Sequence, residues 1–228
     1  MSNLIWATAI ALEITLLLRG VKGRLVKSYP LFYGYIACVL TVDVLRFVCY
    51  KFEPIFYPNL YWYTEFLAIL ASYGVVCEIY KCSFRNHPRA ARLARGLMVL
   101  MLLIAVAGSA ANTRTDGFRS PLNTIAQLGC DLRYVEGALL AVVFFLLGTN
   151  RISLGRNLRG LIVGFGFLVG MTVMNLALLS QPGNEVSLAL RRLLPGSFVI
   201  TLVIWTIALW LPKPDRVGPP MTPPMVHQ

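Results

Sequence analysis

The chain reads as an all-α polytopic membrane protein: a bundle of seven transmembrane helices, N-terminus outside and C-terminus cytoplasmic. Three observations predict this. Hydrophobic residues fill 57% of the 228 positions and charged residues only 14%, a balance foreign to soluble domains. The apolar residues gather into seven stretches, joined by connections of about ten residues that leave no room for a separate soluble domain. The basic residues crowd into alternate connections, which fixes an orientation.

The seven stretches are Leu4–Leu18, Tyr29–Tyr50, Leu60–Tyr80, Gly96–Ala111, Pro121–Leu147, Leu161–Leu179 and Leu193–Leu211. A spanning helix needs about 20 mostly apolar residues. Most stretches reach that length; the first and fourth run short and borrow flanking residues or sit in thinner bilayer. The runs are continuously apolar and do not alternate, which favours helices over a membrane barrel.

The first stretch differs from a secretory signal peptide. It lacks a basic start, Glu13 interrupts it, and Arg19-Gly-Val-Lys-Gly-Arg24 follows where a small-residue cleavage site belongs. It is expected to be a retained span. The second and third stretches carry Asp43, Arg46 and Glu65. The fourth follows the basic run Arg85 to Arg95, which topology signalling accounts for more simply than recognition of anionic lipid.

The fifth stretch carries Asp131, Arg133 and Glu136. Asn123, Gln127, Asp131 and Tyr134 fall on one helical stripe, while Arg133 and Glu136 pair at i,i+3 on another face. A helix polar on two faces belongs among protein or water, so this one is expected at the centre of the bundle. The sixth contains Gly160-x-x-x-Gly164 and Gly166-x-x-x-Gly170, a spacing that lets backbones approach closely; packing inside the bundle is favoured over homodimerisation. Beyond residues 1–211, the tail 212–228 is Pro-rich and expected to be disordered in the cytoplasm.

Orientation follows from the basic residues. Fourteen lie in the connections that would face the cytoplasm and five in the others, which places the N-terminus outside and implies an odd number of crossings. The helix count and topology resemble, in architecture alone, the seven-helix sensor modules that precede bacterial signalling enzymes. The expected location is a plasma membrane, the inner membrane if bacterial.

Ionisable groups inside spans are costly to bury and mark sites. Asp43, Arg46, Glu65, Asp131, Arg133 and Glu136 form the candidate ligand- or proton-binding set, at one depth towards the outside. Asp43 with Arg46, and Arg133 with Glu136, are i,i+3 partners. Glu13 lies deeper, and Asn175 on the sixth stretch falls at the depth of the set. Glu78 sits near the inner interface. Carboxylates outnumber bases within the spans, so some must be protonated, hydrated or matched by a bound cation. Tyr50, Tyr57, Tyr61, Trp62 and Tyr63 crowd the outer ends more densely than interfacial anchoring requires.

Several chemistries are excluded. The two histidines, His87 and His227, lie outside the spans, so no imidazole serves intramembrane metal ligation or Ser–His catalysis. The five cysteines form no CxxC pair, arguing against a zinc site or disulfide framework. No span contains a lysine for a Schiff base, and no Gly-rich phosphate loop is present. Paired aspartates Asp43 and Asp131 leave open an intramembrane aspartyl hydrolase, but Leu128-Gly-Cys-Asp131 departs from the Gly-x-Gly-Asp pattern of such enzymes. The expectation is a non-enzyme without cofactor that binds or senses a small molecule or cation through an outward acidic cavity. The alternative is a small proton- or cation-coupled transporter. Expected partners are the lipid bilayer and either a membrane protein or further copies of the chain; nucleic acid is not expected.

Overall fold

A computed structural model describes residues 3–84, 121–149, 155–179 and 185–210, together with Arg92, Gly96, Val99, Leu100, Leu103 and Ala107. Among the described residues the chain is all-helical: α1 (Asn3–Lys22), α2 (Pro30–Phe52), α3 (Tyr57–Ser83), α4 (Pro121–Thr149), α5 (Arg156–Leu179) and α6 (Glu185–Trp210). Four stretches are long and apolar enough to cross a membrane: Leu4–Lys22, Pro30–Phe52, Tyr57–Ser83 and Arg156–Ala177. The chain is thus a helical protein with the composition and helix lengths of a membrane protein. Gly96, Val99, Leu100, Leu103 and Ala107 of the fourth stretch are helical and exposed. The rest of that stretch, most of the basic run before it, the side chains of Asn123 and Gln127, and the Pro-rich tail lie outside the described residues.

Prolines set the helix starts. Pro30 opens α2 and Pro58 lies in the first turn of α3, positions where the missing N–H has no partner to lose. Between α1 and α2 the chain reverses through Gly23 and Arg24. Gly23 N–H donates to the Arg19 carbonyl at 2.8 Å, and Arg24 takes a left-handed φ of 54°.

Each helix packs against its neighbours in chain order, and α6 closes back on α1, so the six form a ring; α3 also touches α5 across it. Contacts fix the directions. Trp6 meets Phe47 and Gly20 meets Tyr33, so α1 and α2 are antiparallel. Arg46 meets Thr64 while Leu31 meets Glu78, so α2 and α3 are antiparallel. Ile69 meets Gly129 and Tyr73 meets Leu132, so α3 and α4 run the same way. Antiparallel pairs then follow through Gly137–Val173 and Gly160–Ala208. Arg19 Nη2 donates to the Trp210 carbonyl at 2.7 Å, tying the ends of α1 and α6.

The middle of the ring is aromatic. Trp205 is fully buried, with ring centroids 5.0 Å from Phe32 and 6.1 Å from Phe165, and its indole N–H donates to the Leu161 carbonyl at 3.2 Å. Close approach requires glycine here: a Cβ on Gly164 would strike the Trp205 indole, and one on Gly160 would strike Ala208. A Cβ on Gly166 would come within 2.8 Å of the Phe144 ring. Gly160, Gly164 and Gly166 of the sixth stretch therefore serve packing within the bundle, as expected, whereas Gly170 faces open space.

The position of α4 differs from expectation. Among the described helices it is a stave of the ring, not its axle: it packs on α3 and α5, while Tyr134, Phe144 and Phe145 remain exposed. The Asp131–Tyr134 part of its polar stripe lies towards that open side, and only the Glu136 face is buried. The five cysteines are free thiols.

Candidate functional site

The polar centre is built on Glu65. In α3, about two turns below the Pro58 start, Glu65 points into the gap between α2 and α4. Arg46 Nη2 of α2 reaches its Oε2 at 3.1 Å, and Arg133 Nη2 of α4 reaches its Oε1. Side chains on a helix lean towards its N-terminus, which is how Arg133 extends up to Glu65 from lower on α4. The three side chains are largely but not fully buried, with exposures of 12% for Arg46 and 21% for Glu65 and Arg133.

Arg46 is the more heavily committed arginine. Its Nε donates to Thr64 Oγ1 at 2.8 Å, and its Nη2 also donates to the Tyr61 carbonyl at 3.1 Å. Its guanidinium lies 4.4 Å from the Tyr61 ring centroid, a cation–π contact. Thr64 passes its own proton to the Leu60 carbonyl at 2.7 Å. From Tyr61 a chain of ring contacts runs to Trp62 and through Tyr57 and Tyr50 to Trp6. The dense aromatic end thus continues from the ion-pair junction.

Both expected i,i+3 pairs are corrected. Arg46 does not bond Asp43, and Arg133 does not bond Glu136, because Glu65 in the interhelical gap offers each guanidinium its own oxygen. Asp43 stays close enough to feel the charges of Arg46 and Glu65. Asp131 stands apart from the junction, half-buried and without a charged partner among the described residues.

Lower in the ring lie two carboxyls that do not join the junction. Glu13 on α1 and Glu136 on α4 are each 0% exposed, and none of their four oxygens has a hydrogen-bond partner among the described residues. Tyr35, buried on α2, lies within electrostatic range of Glu13, Glu65, Arg133 and Glu136. Asn175 is buried with an unpartnered Oδ1, and no contact joins it to Glu65 or the arginines.

Glu78 has a separate role that its place near the interface hid. Its Oε2 accepts the Phe32 N–H at 2.8 Å and its Oε1 the Leu31 N–H at 3.1 Å. These are unpaired donors of the first turn of α2, so α3 caps α2 with a carboxylate at its positive end.

An apolar cavity of about 390 Å³ opens between α2 and α3, lined by Cys38, Thr41, Val42, Leu45, Thr64 and Leu67 among others. Thr64 links its wall to Arg46. No cluster of three or more metal-ligating side chains occurs among the described residues. No protein family matches this chain, and no characterised protein or solved structure is detectably similar to it.

Proposed function

We propose that the chain is a seven-span membrane protein of the plasma membrane that binds a small ligand or cation near its outward end and senses it. The observation that carries this reading is the junction at Glu65. Three helices meet there through one carboxylate and two arginines, so a charged ligand that competes for any of them alters how α2, α3 and α4 are held together. Asp43 and Asp131, half-buried and without side-chain hydrogen bonds among the described residues, are the carboxylates that would meet a cation. Arg46 and Arg133 would take an anionic group. Burying ion pairs costs more than equivalent apolar packing returns, which gives such a junction a reason beyond stability.

Support for seven crossings comes from the direction of the helices. α3 and α4 run the same way, as one further crossing between them would require, and the Gly96–Ala111 stretch is the sequence's candidate for it. The basic-residue bias supports the outward N-terminus.

Mass spectrometry of species retained by the purified protein tests the reading. A small molecule or ion present with the wild type and lost with both Asp43→Asn and Asp131→Asn supports it. The same profile in all three removes these aspartates from binding.

Proton- or cation-coupled transport is the second reading, favoured by Glu13, a fully buried carboxyl on a different helix and below Asp43. Flux into liposomes that disappears with Glu13→Gln supports it; liposomes inert with the wild type argue for sensing.

A further inference from the structure

Glu136 is fully buried, and among the described residues neither of its oxygens has a hydrogen bond of good geometry, with the Ser72 hydroxyl a side-chain donor close by. Among the described residues, the α3 hydroxyls near it bond backbone carbonyls. On α3, the Ser72 hydroxyl, which faces Glu136, bonds the Ile69 carbonyl at 2.7 Å, and the Tyr73 hydroxyl bonds the Leu132 carbonyl at 3.0 Å. Glu65, also on α3, adds a like charge within range. On α2, the Tyr35 ring lies close. α5 meets this part of α4 through Val169 and Val173, beside Gly137; its only charged residues, Arg156 and Arg159, are in its first turn. One base stands near: Arg133, one turn earlier on the same helix, and Glu65 holds it.

An ionised carboxylate left in this position would be fully buried with no base paired to it and at most the Ser72 hydroxyl to meet it, which is unfavourable. A hard metal ion asks for about six or more oxygen ligands, and no cluster able to supply them occurs among the described residues. A proton needs no other ligand.

We propose that Glu136 is a proton-binding site controlled by Arg133: it holds its proton while Glu65 holds Arg133, and releases it when Arg133 turns to Glu136. The swap needs no helix movement, because residues at i and i+3 are neighbours on a helix surface and Glu136 leans back towards Arg133. It begins when Glu65 is neutralised by a proton. Arg133 then pairs with the Glu136 carboxylate, and one proton leaves Glu136 for water. Glu65 keeps Arg46 throughout. The inference is independent of whether a ligand occupies the outward end, since its test contains none.

Infrared spectroscopy of the full chain in lipid reads the site directly. The wild type is expected to show a protonated carboxyl C=O band that is lost in Glu136→Gln. In Glu65→Gln, which imitates a neutral Glu65, the same band is expected to vanish although Glu136 is present. Adding Arg133→Gln to that variant is expected to restore it. Absence of any Glu136-dependent acid band in the wild type overturns the proposal, as does a band that survives Glu65→Gln. Should Glu65→Gln fail to fold, Glu65→Asp draws the carboxylate back by one methylene and is expected to lower the band by at least half; an unchanged band overturns the control by Arg133.

Discussion

Arg46 and Arg133 sit on helices that do not touch, yet each bonds a different oxygen of the same carboxylate. Glu65 is therefore the one member of the junction that cannot be spared. Removing it takes the shared carboxylate from both guanidinium groups at once, leaving Arg46 near Asp43 and Arg133 near Glu136 without a bonded partner until they turn, whereas removing either arginine leaves Glu65 still paired. Glu65→Leu is expected to destabilise the bundle by about 3–5 kcal/mol. Arg46→Leu or Arg133→Leu should each cost on the order of 1–3 kcal/mol. Unfolding in mixed micelles measures the order, and an arginine variant less stable than Glu65→Leu contradicts it.

The cap that Glu78 places on α2 makes a second prediction. Glu78→Ala strips the Leu31 and Phe32 N–H groups of their acceptor and is expected to cost about 1–3 kcal/mol. Glu78→Gln keeps one acceptor oxygen and should lose less. Hydrogen exchange localises the effect: faster exchange at Leu31 and Phe32, with α5 and α6 unchanged, is the expected pattern.

Glycines of α5 separate by what they face. Gly164→Ala drives a methyl into the Trp205 indole, and an overpacked core typically loses about 1–3 kcal/mol. At Gly170 an added Cβ meets nothing within 4 Å, so Gly170→Ala should be neutral or slightly stabilising through helix propensity. Thermal denaturation of the two variants side by side checks the contrast.

Arg24 holds a left-handed φ of 54° at the reversal between α1 and α2. A side chain costs on the order of 1 kcal/mol in that region, and glycine does not. Arg24→Gly is therefore expected to raise the unfolding midpoint, and a fall would show that the Arg24 side chain contributes more than its backbone strain removes.

Helices were legible in the sequence because hydropathy and proline placement are local. Pro121 opens both the fifth stretch and α4, and the described helices overlap their stretches, while the starts at Pro30 and Tyr57 differ from the expected Tyr29 and Leu60. Partnership was not legible, because helical periodicity compares residues only with others on their own helix. It offered Arg46 to Asp43 and Arg133 to Glu136, and had no means of seeing Glu65 between them. The same blindness placed α4 at the centre: two polar faces require two polar surroundings, but not that both be protein. Glu78 was set aside by depth, yet its partners are backbone N–H groups of α2, which leave no mark in a side-chain pattern. The absence of bases near Glu13 was visible from composition; its complete burial was not.

The closure of α6 on α1 has a consequence for how the protein is made. Arg19 and Trp210 are 191 residues apart in sequence, whereas every other seam among the described helices joins elements nearer in the chain. During synthesis α1 emerges well before α6, the helix that will cover one of its sides. Throughout that wait the described helices form an open arc, with Glu13 on a helix missing one flank. Closing the ring is thus a long-range event, and α1 waits longest for the neighbour that completes its surroundings.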